Sequence, residues 1–381
     1  MSKVEKKPKV TPKAPRIIAL DLLRGYFLVS IILNHLQWYP NAFDWVALRG
    51  SLLVSAAEGF FMISGMLLGI VRGRKLIDQP LKVSTLLVLK RGLTLYAAAV
   101  ILMLLFTFIG WFFLGNPGLE PGIRPIDQPI YEILLGAVGL QYLYGWADFL
   151  RLYAIFLIMT PIALWLLRKG KWYIVALGSC ALWALFPVAH AISGKSYELL
   201  MPLSWQLIFF AGLIIGLHWP DLQDWWQRQS QKLRKSIAVP VLTLAAVTLC
   251  INTAVVILIA LGLVPDSVRV FYDTQLSTTF NKDELTLPRI LLFGLWFTLG
   301  LSLFMRYEKK IARWFGWILL PFGTNSLYVY ILHAVLLFFA HLIVMPGSSE
   351  NVIQNFIGSA LILGIVYFAV KKRFLFKIIP R

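Results

Sequence analysis

The feature that most constrains this chain is the length of its apolar runs. Ten blocks stand at approximately 17–39, 51–71, 89–114, 149–167, 172–190, 203–219, 237–263, 289–305, 316–345 and 352–370. A helix needs about 20 residues to cross a hydrocarbon core roughly 30 Å thick. Inside lipid each backbone amide must find its partner within the same segment, so such blocks fold as helices. The expected fold class is all-α: a polytopic transmembrane bundle of about ten spans. The ninth block has room for a tilted or broken helix, because Pro321 and Gly323 sit near its start. The first block is too long for a signal peptide and lacks a small-residue cleavage site, so it reads as a retained span.

Composition agrees. Of 381 residues, 59% are hydrophobic and only 14% charged, against about 25% charged in soluble domains. The net charge of +18 invites a nucleic-acid reading, which its distribution removes. With a cytoplasmic N-terminus, 28 of the 36 Lys and Arg fall in inside segments. Six fall outside (Arg49, Arg124, Lys195, Arg269, Lys282, Arg289), and Arg24 and Arg151 lie within spans. That alternation follows the positive-inside rule and places both termini in the cytoplasm. The basicity is then a topology signal plus attraction to anionic lipid, with no nucleic-acid partner implied. The expected organisation is a disordered basic tail over 1–16, one membrane domain over 17–370 and a second basic tail over 371–381. The expected location is the inner (plasma) membrane.

Two outside segments, 115–148 and 264–288, have the composition of folded caps. The stretch from Tyr131 to Trp146 suits an interfacial or re-entrant helix, since Tyr and Trp favour the headgroup level. Cys180 and Cys250 lie inside apolar blocks, and no metal-ligand spacing or disulfide framework is present.

Ionisable groups inside spans are costly and mark function by default. The first span carries Asp21, Arg24 and His35. Asp21 and Arg24, three residues apart, can neutralise each other. Arg24 and His35, eleven apart, share one helix face about 16 Å apart along the axis. Glu58 in the second span is expected at the depth of His35, where a carboxylate would orient the imidazole as a general base; a purely structural pair is the alternative. Arg151 and Tyr153 open the fourth span and Trp205-Gln206 the sixth. His333 lies mid-span in the ninth with His341 two turns on, and Lys90 and Arg91 mark the mouth of the third.

These strings resemble the membrane acyltransferase-3 superfamily. Arg24 and His35 fit its Arg-x10-His signature, Phe60-Phe61-Met62-Ile63-Ser64-Gly65 its Phe-Phe-x-x-Ser-Gly motif, and Ser326-Leu327-Tyr328 through His333 its late Ser-x-x-x-Tyr-x-x-His segment. Leu20-Asp21 to Gly25, Ala56-Ala57-Glu58, Asp148 to Tyr153 with Pro161, and Ser204-Trp205-Gln206-Leu207 resemble the OpgC-type periplasmic glucan succinyltransferases. The resemblance runs from about residue 16 to 370. It implies a ten-span enzyme carrying an acyl group, such as succinyl or acetyl, from cytoplasmic acyl-CoA to a hydroxyl of an extracytoplasmic saccharide, with no permanently bound cofactor. It implies that His35 is the catalytic base and Arg24 a donor-binding or structural residue beneath it. Together with the residues read above, the expected site is His35, Glu58 and His333 for catalysis and Asp21, Arg24, Arg151, Tyr153, Trp205 and Gln206 for substrate contact. Arg72, Arg74, Lys90 and Arg91 would meet the coenzyme's phosphates. The family's Arg-x-x-Arg near the third span is replaced here by adjacent Lys90-Arg91, and Arg151 stands where the OpgC type has an apolar residue. The competing reading is a transporter or flippase with an intramembrane His/Arg/Glu path; the absence of internal repeats counts against it.

Overall fold

The computed structural model describes residues 16–73, 80–119, 128–141, 148–194 and 197–379. It is built of helices: α1 (Ile18–Leu36), α2 (Asp44–Ala47), α3 (Ala56–Leu67, continued as a π-helix over Leu68–Gly73), α4 (Leu81–Gly110), α5 (Ile130–Val138) and α6 (Asp148–Arg168). There follow α7 (Trp172–Ser193), α8 (Tyr197–Leu217), α9 (Trp219–Arg228), α10 (Gln231–Ala260) and α11 (Asp266–Ser277). The chain closes with α12 (Leu287–Arg306), α13 (Glu308–Thr324), α14 (Ser326–Ile343) and α15 (Val352–Lys371). Among the described residues nine helices are long and apolar enough to cross a membrane, and Ala56–Ile70 is a shorter apolar stretch. This is a multi-pass all-α membrane protein.

Burial identifies the centre of the bundle. In the membrane windows, α1 and α14 are 67% and 72% buried, whereas α7, α10 and α12 are only 11–17% buried and form the periphery. Lipid is as apolar as leucine, so close packing rather than hydrophobicity holds transmembrane helices together. Glycine permits it. A Cβ on Gly65 would stand 2.1 Å from the Phe209 carbonyl oxygen, and one on Gly212 2.3 Å from that of Met62, so α3 and α8 touch backbone to backbone. On the other side of the core, Gly323 of α13 abuts the Asp21 carbonyl at 1.8 Å on the same measure.

The ninth apolar block is two helices. The break falls at Asn325, whose Nδ2 donates to the Pro321 carbonyl at 3.0 Å. Glu308 accepts from the Ala19 amide at 3.0 Å, while Gly323 meets Asp21, so both ends of α13 lie against the first half of α1. We call this the near face and the opposite one the far face. α14 then starts again from the near face, where the Tyr328 hydroxyl donates to the Phe374 carbonyl just past α15. It runs parallel to α1 to the far face, where His341 Nε2 meets the Leu36 carbonyl at 3.2 Å. The charged N-terminal end of α13 (Glu308, Lys309, Lys310, Arg313) makes it a poor membrane span.

Of the two expected caps, 264–288 contains α11, and its Tyr272 hydroxyl donates to the Ser51 carbonyl at 2.7 Å. In 115–148 the helix α5 ends at Val138; residues 142–146 of the expected Tyr131–Trp146 stretch lie outside the described residues.

Candidate active site

α1 supplies the axis of the site. Its C-terminal turn carries His35, whose Nδ1 lies 3.3 Å from His333 Nε2, with the rings stacked at 5.5 Å. His333 is fully buried, and its Nδ1 is 2.5 Å from the Tyr330 carbonyl oxygen. That carbonyl can only accept, so His333 carries its proton on Nδ1 and offers a lone pair at Nε2. His35 must therefore donate from Nδ1, which leaves the basic lone pair on its Nε2. Helix geometry makes the relay possible: a carbonyl three residues back lies under the imidazole of the same helix. The Tyr330 ring closes against the His333 ring at 4.6 Å and stacks on Phe149 at 5.2 Å, and its hydroxyl reaches Asp148 at the start of α6.

Glu58 is not the partner of this imidazole. Gly59 packs on Phe27 and Ser64 on Arg24, so α3 runs antiparallel to α1 with Glu58 well below the level of His35. Its Oε1 takes Arg289 Nε at 2.6 Å and Nη2 at 2.5 Å, while Oε2 accepts from the Ser55 amide at 3.2 Å and the Ser55 hydroxyl. Arg289 is 3% exposed and donates its Nη1 to the Phe280 carbonyl at 2.8 Å. Sequence reasoning counted Arg289 among outside-loop cations; the Thr286-Leu287-Pro288 start of a helix was the signal that it belongs to the first turn of α12.

The expected Asp21–Arg24 pair is also rearranged. Asp21 accepts from Arg16 Nε at 2.5 Å. Arg24 instead reaches across to α3, donating to Ser64 Oγ at 3.2 Å with its guanidinium 4.9 Å over the Phe60 ring. Tyr153 hydrogen-bonds it from α6, and the positive charge of Arg91 on α4 faces it. Neither Arg24 Nε nor Arg91 Nε has a hydrogen-bond partner, although both are buried atoms. Two like charges left with spare donors form an anion-binding arrangement.

The remaining expected residues divide. Phe61 is an aromatic hub, 4.0 Å from Phe149 and 5.5 Å from Trp205, with Tyr153 edge-on at 6.5 Å. Trp205 donates its indole N–H to the Lys282 carbonyl at 3.1 Å, which ties the α11 cap to α8. Gln206 is committed to α7: its Nε2 donates to the Ser179 carbonyl at 2.8 Å and its Oε1 accepts from the Ser179 hydroxyl. Arg151, 2% exposed, donates to the Leu140 carbonyl at 3.3 Å. Lys90 is exposed on α4. Arg72 lies in the π-helix, and Arg74 lies outside the described residues. Among the described residues no group of three or more His, Cys, Asp or Glu is placed to hold a metal.

The site thus has two poles on α1: an oriented imidazole pair toward the far face and an arginine cluster toward the near face. No curated protein and no solved structure matches this chain. One family model does match, that of the OpgC protein, over residues 16–377. The chain therefore belongs to the OpgC protein family, with the membrane-associated, acyltransferase-like role that this membership carries.

Proposed function

We propose that this protein is an O-acyltransferase that takes an acyl group from acyl-CoA on the cytoplasmic side and places it on a hydroxyl of an extracytoplasmic glycan. The observation that carries the reading is the Tyr330 carbonyl–His333–His35 relay. It presents a lone pair at His35 Nε2, as a general base requires. The acceptor hydroxyl gives its proton to Nε2 as its oxygen attacks the thioester carbonyl. The tetrahedral adduct then collapses, the C–S bond breaks, and the coenzyme thiolate leaves with the proton that His35 returns. Positive charge accumulated on His35 is shared through Nδ1–H with His333, whose own proton stays on its Nδ1, donated to the Tyr330 carbonyl.

Arg24 and Arg91, with Tyr153, suit the donor's anionic groups. Arg24 stands about 16 Å below His35 along α1, too far to touch the oxyanion. Its role in this reading is to hold the donor, not to stabilise the adduct. Glu58 and Arg289 support the wall of the site and move no proton.

The test is acyl transfer in proteoliposomes with acyl-CoA supplied at the Arg24 side and glycan at the His35 side. Release of coenzyme A together with an acyl mass increment on the glycan, lost in His35→Ala and retained in a Cys250→Ser control, supports the reading. Glycan flux without acyl-CoA consumption, still dependent on His35, would replace it with a transporter.

A further inference from the structure

An adduct formed at His35 needs a counter-charge that Arg24 is too distant to supply, and the far-face cap holds one. Between α11 and α12 the chain turns through residues 280–285, and side chains from three helices fix its carbonyls. Arg289 of α12 donates to that of Phe280 at 2.8 Å. From α8, Trp205 donates to that of Lys282 at 3.1 Å and Ser204 to that of Asp283 at 2.6 Å. Trp183 of α7 donates to that of Leu285 at 2.8 Å. Within the loop, Asn281 Oδ1 accepts from the amides of Asp283 and Glu284 at 2.9 and 3.0 Å. Leu285 is 1% exposed and held at φ +49°, a left-handed conformation that a leucine keeps only where its surroundings impose it.

A loop pinned at these carbonyls presents its side chains from a fixed base. The side chain of Lys282 is exposed and makes no salt bridge among the described residues. Its positive charge faces the half-buried imidazole of His35. Packed rings tie the same loop to the imidazole pair: Trp205 meets Phe61, Phe61 stacks on Phe149, Phe149 on Tyr330, and Tyr330 closes on His333. A cation beside a base opposes the charging of that base. The opposition is offset where negative charge develops next to both groups as the base takes its proton, and tetrahedral addition to a thioester does this.

We propose that Lys282 is a further catalytic residue: it stabilises the oxyanion of the tetrahedral adduct formed at His35, a role that rests on the acyl-transfer reading. As the acceptor oxygen bonds to the thioester carbon and its proton passes to His35 Nε2, the carbonyl π pair moves onto the carbonyl oxygen. The Lys282 ammonium meets the charge there and keeps its own protons. On collapse that pair re-forms the C=O bond, the C–S bond breaks, and the thiolate takes the proton from His35, which the neighbouring cation helps to expel.

The test is steady-state transfer in the same proteoliposomes by Lys282→Met, which removes the charge and leaves the backbone anchors in place. Its kcat should fall about 10²-fold, the low end for losing one oxyanion donor because the ammonium is exposed. KM for acyl-CoA and for glycan should stay within about threefold, as for a contact made only in the transition state. Lys282→Arg should keep most of the rate. Lys282→Cys, in a Cys180→Ser/Cys250→Ser background, should regain about tenfold in kcat when aminoethyl methanethiosulfonate restores the cation, and nothing from the neutral hydroxyethyl reagent. That comparison uses one folded preparation before and after labelling. Undiminished kcat in Lys282→Met, a loss confined to KM for the glycan, or equal recovery with both reagents would overturn the assignment while leaving the acyl-transfer reading intact. A wild type that consumes no acyl-CoA would overturn the reading itself and Lys282's role with it.

Discussion

The buried Glu58–Arg289 pair offers a sharp quantitative test. Replacing Arg289 with Leu strips Glu58 Oε1 of both its guanidinium contacts and leaves a carboxylate 0% exposed, held only by Ser55. Removing one member of a buried pair costs about 3–5 kcal/mol. Replacing Glu58 with Gln is milder, because the amide oxygen can still accept from Arg289 and because the guanidinium keeps the Phe280 carbonyl; we expect about 2 kcal/mol. In Glu58→Gln/Arg289→Leu no net charge is left buried. The double variant should therefore recover roughly 2 kcal/mol of the summed single losses. At about 2 °C per kcal/mol for a chain of this size, Arg289→Leu should lose roughly 6–10 °C of apparent Tm and the double variant less than the sum by roughly 4 °C. Size-exclusion chromatography of detergent-solubilised protein after a graded heat step reads this directly. Additive losses, with no coupling between the two positions, would refute the pairing argument. The same variants separate structure from chemistry: below its own transition, Glu58→Gln should keep acyl transfer within about tenfold, whereas loss of a general base costs about 10²–10⁴.

Other outcomes follow from the same geometry. His333→Ala should lower turnover by about 10² with little change in KM for acyl-CoA, and His333→Gln should restore part of it, because an amide oxygen can accept from His35 Nδ1. Arg24→Gln should raise KM for acyl-CoA about tenfold or more by removing a charge-assisted contact, and Arg24→Lys should not restore it, since Ser64 and an anion together need the guanidinium fork. Gly323→Val, whose Cβ would lie 1.8 Å from the Asp21 carbonyl oxygen, should abolish folded protein in membrane fractions, while Gly178→Ala, with open space around it, should express normally.

Much of this was legible in the sequence because lipid simplifies folding. The apolar blocks gave the spans, since a helix has no alternative there, and the eleven-residue spacing placed Arg24 and His35 on one stripe. What sequence missed lies where spans meet each other. Glu58 and His35 each read as far-side groups, but their axial offset depends on how α3 docks on α1, which Gly59 against Phe27 and Ser64 against Arg24 decide. Arg289 looked like a loop residue because α12 begins two residues before its apolar run, at Leu287. Residues 316–345 left room for a broken helix near Pro321 and Gly323, but hydropathy does not place the break at Asn325, where two helices with different partners meet. The His333–His35 contact spans nearly 300 residues, and no local pattern encodes it.

The shared stripe on α1 has a consequence for how the protein handles length. The imidazole and the guanidinium belong to one uninterrupted helix, so their separation is a covalent gauge rather than a product of packing. Thermal breathing of the bundle alters what surrounds them and leaves the spacing nearly fixed. Adding one residue between Arg24 and His35 would swing the two groups about 100° out of phase. Adding four would lengthen the gauge by about 6 Å while nearly restoring the phase. A chain of this kind could thus be retuned to a longer or shorter reach only in whole helical turns.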